Sequence, residues 1–276
     1  MMINRSQIKF HETFQPETVY LAKICELASN DFSGDKYAIS ELTGIPTGKQ
    51  KGKVEPHIKY ASYMGLIDSK VEKGVYSLTL TPLGNEVFNQ DHYLHENLTR
   101  WLCHYGISRP ELGAPQWIYL VRYGHSGYNQ INSSGFHLNK ANNLFGINVD
   151  LEEMFGVVRR SYVDGFFSDL NYLRWDDGIE YIEHTERPEL LFVYAYTILD
   201  LWELLFPEKK EITLIELIEK IGIGKVFNVG EAETESILDD LSFEGLFKIN
   251  RQLYPATIIK LANSNSVISK LYSLLV

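Results

Sequence analysis

Near its start the hydrophobic pattern of this chain changes period, and that change restricts the fold more than any other feature. Tyr37, Ile39 and Leu42 give a short apolar face, which Gly44, Pro46 and Gly48 break. Val54, Ile58, Ala61 and Met64 then recur at helical spacing until Gly65 stops the run. Beyond Gly65 the period becomes two. Leu66 and Ile67 lead to a polar tip at residues 70–74, and Tyr76, Leu78 and Leu80 alternate with Ser77 and Thr79 as a half-buried strand does. Thr81-Pro82-Leu83-Gly84 starts another short helix. A helix over residues 16–28, with Val19, Leu21, Ile24 and Leu27 inward, is expected to pack on these elements. Two short helices across a tight break, followed by a ribbon, is the order of a winged helix.

Charge is distributed unevenly around that unit. Residues 1–90 carry ten Lys/Arg and ten Asp/Glu, so the net charge of −10 lies in the rest of the chain. The protein as a whole repels nucleic acid, and affinity for it has to come from one local surface. Between residues 49 and 59 stand four lysines, Lys49, Lys51, Lys53 and Lys59, against Glu55 alone, with Gln50 and His57 among them. A winged helix presents this segment to DNA. Lys49, Lys51, Lys53, His57 and Lys59 are expected to meet phosphates and Gln50 a base edge, with Lys70 and Lys73 of the ribbon tip beside them. The alternative is a solvated exposed turn.

The middle of the chain reads as helical. Leu98, Trp101, Leu102 and Tyr105 share one face; residues 108–115 interrupt it; residues 124–135 are a polar loop; Asp150 caps a helix running through Val157, Val158 and Tyr162; residues 174–189 form a charged connector. After Pro207 the organisation of the first unit returns. An amphipathic helix over residues 212–221, a turn at Gly222-Ile223-Gly224-Lys225 and a helix over residues 231–243 precede Gly245-Leu246-Phe247, which matches Gly65-Leu66-Ile67. With Gly65 set on Gly245, Ile58 falls on Leu238, Ala61 on Leu241 and Tyr63 on Phe243. The lysines are replaced by Glu231, Glu233, Glu235, Asp239 and Asp240, an acidic face suited to a protein partner or to packing alone. The expected fold is mostly α with small β-ribbons: winged-helix-like units at residues 1–90 and 208–276 around a helical domain at 91–207.

Phe10-His11-Glu12-Thr13-Phe14, Gly48-Lys49 ahead of Ile58-Lys59-Tyr60, Met64-Gly65-Leu66-Ile67, Leu80-Thr81-Pro82-Leu83-Gly84 and Trp101-Leu102-Cys103-His104 follow in one order. That order resembles the bacterial domain-of-unknown-function family four-thousand-and-seven. Arg160-Ser161-Tyr162-Val163 resembles its later arginine and tyrosine motif. The chain departs from the family in having no glycine between Phe10 and His11 and in carrying Gln15-Pro16-Glu17 where an arginine is usual. The resemblance implies genes beside phosphoadenosine-phosphosulfate-reductase-like neighbours, in phage-defence and DNA-phosphorothioation loci. It singles out His11, Glu12, Thr13, His104, Arg160 and Tyr162 without giving them a role.

Catalytic motifs are sparse. Gly44-Ile45-Pro46-Thr47-Gly48-Lys49-Gln50 has one residue too few between its glycines for a phosphate loop, and Gln50 where a Ser or Thr would hold magnesium. His92, His95, Cys103 and His104 follow no standard zinc spacing. His11 and Glu12 are a possible base and orienter, but no nucleophile or oxyanion donor can be placed with them. Cys25 and Cys103 sit in apolar helical stretches and read as buried thiols of a reducing compartment. The apolar run at residues 190–206 is broken by Asp200 and Glu203 and is too short to cross a bilayer. The sequence therefore predicts a cytoplasmic, non-catalytic DNA-binding or adaptor subunit of a defence or DNA-modification system, without cofactor, metal or membrane. Its partners would be double-stranded DNA and proteins of the same locus. The alternatives are a protein-interaction scaffold that touches no DNA, and an enzyme working at His11 and Glu12.

Overall fold

The computed structural model of the chain describes residues 2–125, 132–252 and 254–275. It is mostly α-helical, with three small antiparallel sheets of three strands each among the described residues. The chain divides into two compact units, Met1–Ile182 and Glu183–Val276.

After short helical turns at Arg5–Ile8 and Lys9–His11, the first unit runs through α1 (Thr18–Ala28), β1 (Ser33–Asp35), α2 (Lys36–Thr43), α3 (Val54–Tyr63), β2 (Ile67–Glu72), β3 (Val75–Leu80) and α4 (Pro82–Gln90). β3 lies between β1 and β2. Asp35 accepts hydrogen bonds from the N–H groups of Tyr37 and Ala38 and so starts α2, and Gly44, at a φ of 70°, ends it. Lys73 and Gly74, both at positive φ, turn the ribbon. Ile39, Val54, Ile58, Ala61, Leu66 and Leu78 form the core beneath. Tyr37, Leu42 and Val19 do not point inward as their spacing suggested; they are 49%, 65% and 62% exposed. The inner stripe of α2 is Ile39 and Thr43, and that of α1 is Leu21, Ala22, Ile24, Cys25 and Ala28.

α5 (Asn97–Ile107) is buried from Leu98 onward except at Arg100, and packs against α3. Its Gly106 lies so close to Met64 that a Cβ would stand 2.2 Å from the Met64 carbonyl oxygen. The chain consequently has no domain break at residue 90. The remainder of this unit is less purely helical than its pattern suggested. α6 (Ser134–Phe145) begins inside the expected polar loop, of which residues 126–131 lie outside the described residues. α7 (Leu151–Val163) starts at the Asp150 cap, as expected. The charged connector contains β5 (Leu173–Trp175) and β6 (Gly178–Tyr181), which form a sheet with β4 (Asn132–Ser133). Leu173, Trp175, Ile179 and Tyr181 are buried in that sheet, while Arg174 and the acids supplied the polar signal.

The second unit holds α8 (Leu191–Leu205), β7 (Glu211–Thr213), helical turns at Leu214–Glu216, Leu217–Ile221 and Ile223–Phe227, α9 (Glu231–Phe243), β8 (Phe247–Asn250) and β9 (Thr257–Lys260). α8 packs on α9, so the boundary falls at residues 182/183 and not at 207. The sheet order, β7-β9-β8, repeats that of the first unit. Local geometry repeats as well. Gly65 and Gly245 have φ of 77° and 74°; the Leu66 and Leu246 N–H groups bond to the Ala61 and Leu241 carbonyls, both at 3.0 Å; and Thr81 and Leu261 donate back to Leu66 and Leu246. Ile58/Leu238 and Ala61/Leu241 are equivalent core positions. Tyr63 and Phe243 are not: Tyr63 packs edge-on to Phe10, whereas Phe243 is 91% exposed.

Candidate nucleic-acid interface

Residues that the sequence leaves far apart converge on one cleft of the first unit, with a volume of about 410 Å³. His11, Glu12 and Thr13 of the loop before α1 line it, with Lys51 of the basic turn, Arg160 of α7, Lys9, Asp150, Glu152, Glu153 and Val157. The loop is strained. Glu12 and Thr13 both have positive φ, 49° and 81°, and for a β-branched threonine this region is sterically disfavoured. Side chains from other elements hold it there. Arg160 donates to the Thr13 carbonyl at 3.0 Å, and the Tyr60 hydroxyl donates to the Phe14 carbonyl at 2.8 Å.

His11 is buried, and its Nδ1 accepts the Thr13 N–H at 3.1 Å. The Gln116 side-chain nitrogen, which donates to the Ile8 carbonyl at 2.7 Å, lies 3.3 Å from the His11 Nε2. Burial, and secondarily the Arg160 charge, lowers its pKa to about 4. Glu12 does not orient it: the carboxylate reaches instead toward the Gly52 N–H, at 3.4 Å. The two residues thus fix the loop and do not make a base–orienter pair.

The Glu12–Gly52 contact fastens the basic turn to the motif loop, and a 2.8 Å ion pair between Lys53 and Glu17 does so a second time. The Lys53 ammonium also lies over the Phe14 and Tyr20 rings. It is a structural cation, with a side chain only 26% exposed, and not a free phosphate ligand. His57 is a clearer correction. It is fully buried, its Nδ1–H donates to the Lys53 carbonyl at 2.6 Å, and its Nε2 accepts the Glu17 N–H at 3.1 Å. Burial lowers its pKa to about 4, so it is neutral and cannot meet a phosphate. Lys49, Gln50, Lys51 and Lys59 are exposed, as are Lys70 and Lys73 at the ribbon. Glu55, the acid among the lysines, is bound by Lys36 at 3.0 Å and by the Tyr76 hydroxyl at 2.8 Å.

Sequence reasoning missed the acidic rim. Asp150 caps α7 through the Glu153 N–H, Glu153 is bonded by Arg5 and lies 3.7 Å from Lys9, and Glu152 pairs with Arg160 at 3.1 Å. Their signal was present in the Asp150-Leu-Glu-Glu start of α7, where it read only as a cap. His104 and Tyr162 meet away from the cleft, in the core, at 2.6 Å. Among the described residues no three His, Cys, Asp or Glu side chains gather as metal ligands. Cys103 and His104 are buried in α5, whereas His92 and His95 lie beyond α4 beside Tyr93. In the second unit Glu231, Glu235, Asp239 and Asp240 are exposed, Glu233 is half-buried, and Asp239 bonds Arg251 at 2.7 Å. No helix is long and apolar enough to cross a membrane among the described residues.

Three depressed histidines give the protein an acid-sensitive window. As pH falls below about 6.5, His11, His57 and His137 of the unfolded chain take up protons that the folded chain refuses until about pH 4. The stability they protect is complete above pH 6.5 and is lost between 6.5 and 4, at up to about 4 kcal/mol per pH unit for the three together. The melting temperature should be flat above pH 7 and fall steeply from pH 6.5 to 5, above the ordinary carboxylate range. A flat profile to pH 5 would refute the assignment.

No protein-family model matches the chain, and no curated protein matches it in sequence. Crystal structures of SspB share its fold. A magnesium ion-bound SspB structure has a TM-score of 0.75 at 17% identity, and a second SspB structure 0.74 at 16%. Each alignment covers 96% of this chain and 87% of the other.

Proposed function

We propose that this chain is a non-catalytic DNA-binding or adaptor subunit of a bacterial phage-defence or DNA-modification system of the phosphorothioation type. In this reading both units are winged-helix modules, the first facing double-stranded DNA and the second a protein of the same locus. The observation that carries it is the junction of the exposed basic turn with the loop that the family resemblance singles out. Lys51 lines the same cleft as His11, Glu12, Thr13 and Arg160, and Glu12 is fastened to Gly52. Lys49, Lys51 and Lys59 meet phosphates, Gln50 stands beside them toward a base edge, and Lys70 and Lys73 follow the backbone. The fold likeness to SspB spans nearly the whole chain, which supports reading the two units as parts of one protein rather than as borrowed modules.

A second reading, an enzyme acting in the cleft, is favoured by the strained Glu12 and Thr13, because strain of this kind collects at functional sites. The engagement of His11 by the Thr13 N–H and its low basicity favour the non-catalytic one. Glu12→Gln separates them. In the adaptor reading this variant binds duplex within about threefold of the wild type and retains phage resistance. Loss of resistance with duplex and partner binding intact establishes the enzyme.

A further inference from the structure

The second unit has a groove of about 610 Å³ lined by Glu235, whose counterpart in the first unit, Glu55, is paired internally with a lysine. In the first unit Glu55, near the start of α3, receives the Lys36 ammonium from the first residue of α2 and the Tyr76 hydroxyl from β3. Burial raises the Glu55 pKa, and these two hydrogen bonds with the Lys36 charge outweigh it and hold the carboxyl low. With Gly65 set on Gly245, Glu55 falls on Glu235 and Tyr76 on Ala256. The counterpart of Lys36 is Leu214 by its place after the helix cap and Glu216 by the strand register, and neither is a cation. Glu235, Leu214 and Ala256 all line the groove. The acid is retained, and the cation and hydroxyl that satisfy it are gone.

The remaining walls describe what would fill the space. Ile215, 41% exposed, Ile218 and Tyr254, 93% exposed, give an apolar side, and Glu219 and Glu231 add carboxylates beside Glu235. None of these three acids has an ion pair among the described residues. Arg251, the groove's cation, is bonded to Asp239. We infer that this groove binds a basic, amphipathic segment of a partner protein. A lysine or arginine from that segment takes the place at Glu235 that Lys36 takes at Glu55, and an adjacent apolar side chain lies on Ile215 and Ile218. The inference rests on the reading of the second unit as the one that faces protein.

The test uses the full chain and a short synthetic peptide alternating lysine and leucine, with alternating glutamate–leucine and lysine–serine peptides as comparisons, measured by titration calorimetry. The lysine–leucine peptide should bind at least about tenfold more tightly than either comparison. Glu235→Gln should weaken it about tenfold. The double variant Leu214→Lys, Ala256→Tyr, which sets a cation and a hydroxyl in the groove beside Glu235, should do the same, whereas Glu244→Gln, outside the groove, should not. Equal binding of the lysine–leucine and lysine–serine peptides, or binding indifferent to Glu235→Gln, overturns the inference. Duplex binding is measured on the same variants. Its retention when the groove fails separates an error about the groove from an error about the DNA-facing unit.

Discussion

Replacing Lys49, Lys51 and Lys59 together by glutamate should lower affinity for duplex DNA on the order of a hundredfold at low salt and leave the melting temperature nearly unchanged. The three are exposed and make no ion pair among the described residues, so folding does not depend on them. In the proposed DNA-facing role each reversal removes a phosphate contact and adds a repulsion on a chain whose net charge is already −10. Lys53 is left out of this set because its ammonium pairs with Glu17 and covers Phe14 and Tyr20. Lys53→Glu would set two acids side by side and loosen the loop before α1, so any loss of binding would be confounded with a loss of structure. Full affinity in the triple variant would remove the basic turn from the interface.

The largest effect on stability is expected from Gly84→Ala. Gly84 is in the first turn of α4, where its N–H caps onto the Thr81 hydroxyl at 2.8 Å. A Cβ there would stand 1.7 Å from the Leu66 carbonyl oxygen, which also accepts the Thr81 N–H. Both groups are backbone, so neither can rotate away, and the helix has to shift off its seat. The expected cost is about 3 kcal/mol or more, or roughly 10 °C in the melting temperature of the first unit. Urea unfolding measures it, and a change below about 1 kcal/mol would mean that the contact is looser than described. Gly106 meets Met64 in the same way from α5, so two helices close on the Met64-Gly65-Leu66 corner. This gives a physical reason for glycines in the motifs that contain Gly65 and Gly84.

The elements of residues 37–88 and of α9 were legible because each changes period at a glycine in the left-handed region, a signal that needs no tertiary information. The short strands β4, β5 and β6 were not. Two to four residues give too few alternations to stand out, and charged residues such as Arg174 and Glu180 masked Leu173, Trp175, Ile179 and Tyr181. Domain boundaries failed for a related reason. Gly106 against Met64 and α8 against α9 are contacts between segments distant in sequence, and local composition carries no trace of them. At the site, exposure divided one run of basic residues into two kinds. Lys49, Lys51 and Lys59 face solvent, whereas Lys53 and His57 are turned inward by Glu17 and the Lys53 carbonyl. The meeting of Lys51 with His11, Glu12, Thr13 and Arg160 depends on α7 crossing the loop before α1, which no spacing rule supplies.

The central claim, that the basic turn and the motif loop form one DNA-facing surface, is tested most directly by titrating duplex DNA with the wild type and the Lys49, Lys51, Lys59 variant across a range of salt concentrations. Five backbone contacts, from Lys49, Lys51, Lys59, Lys70 and Lys73, give the wild type a log–log slope of about −4 to −5, and the variant, which keeps Lys70 and Lys73, a slope of about −2. Equal slopes in the two proteins, or binding by the wild type that does not respond to salt, would contradict it.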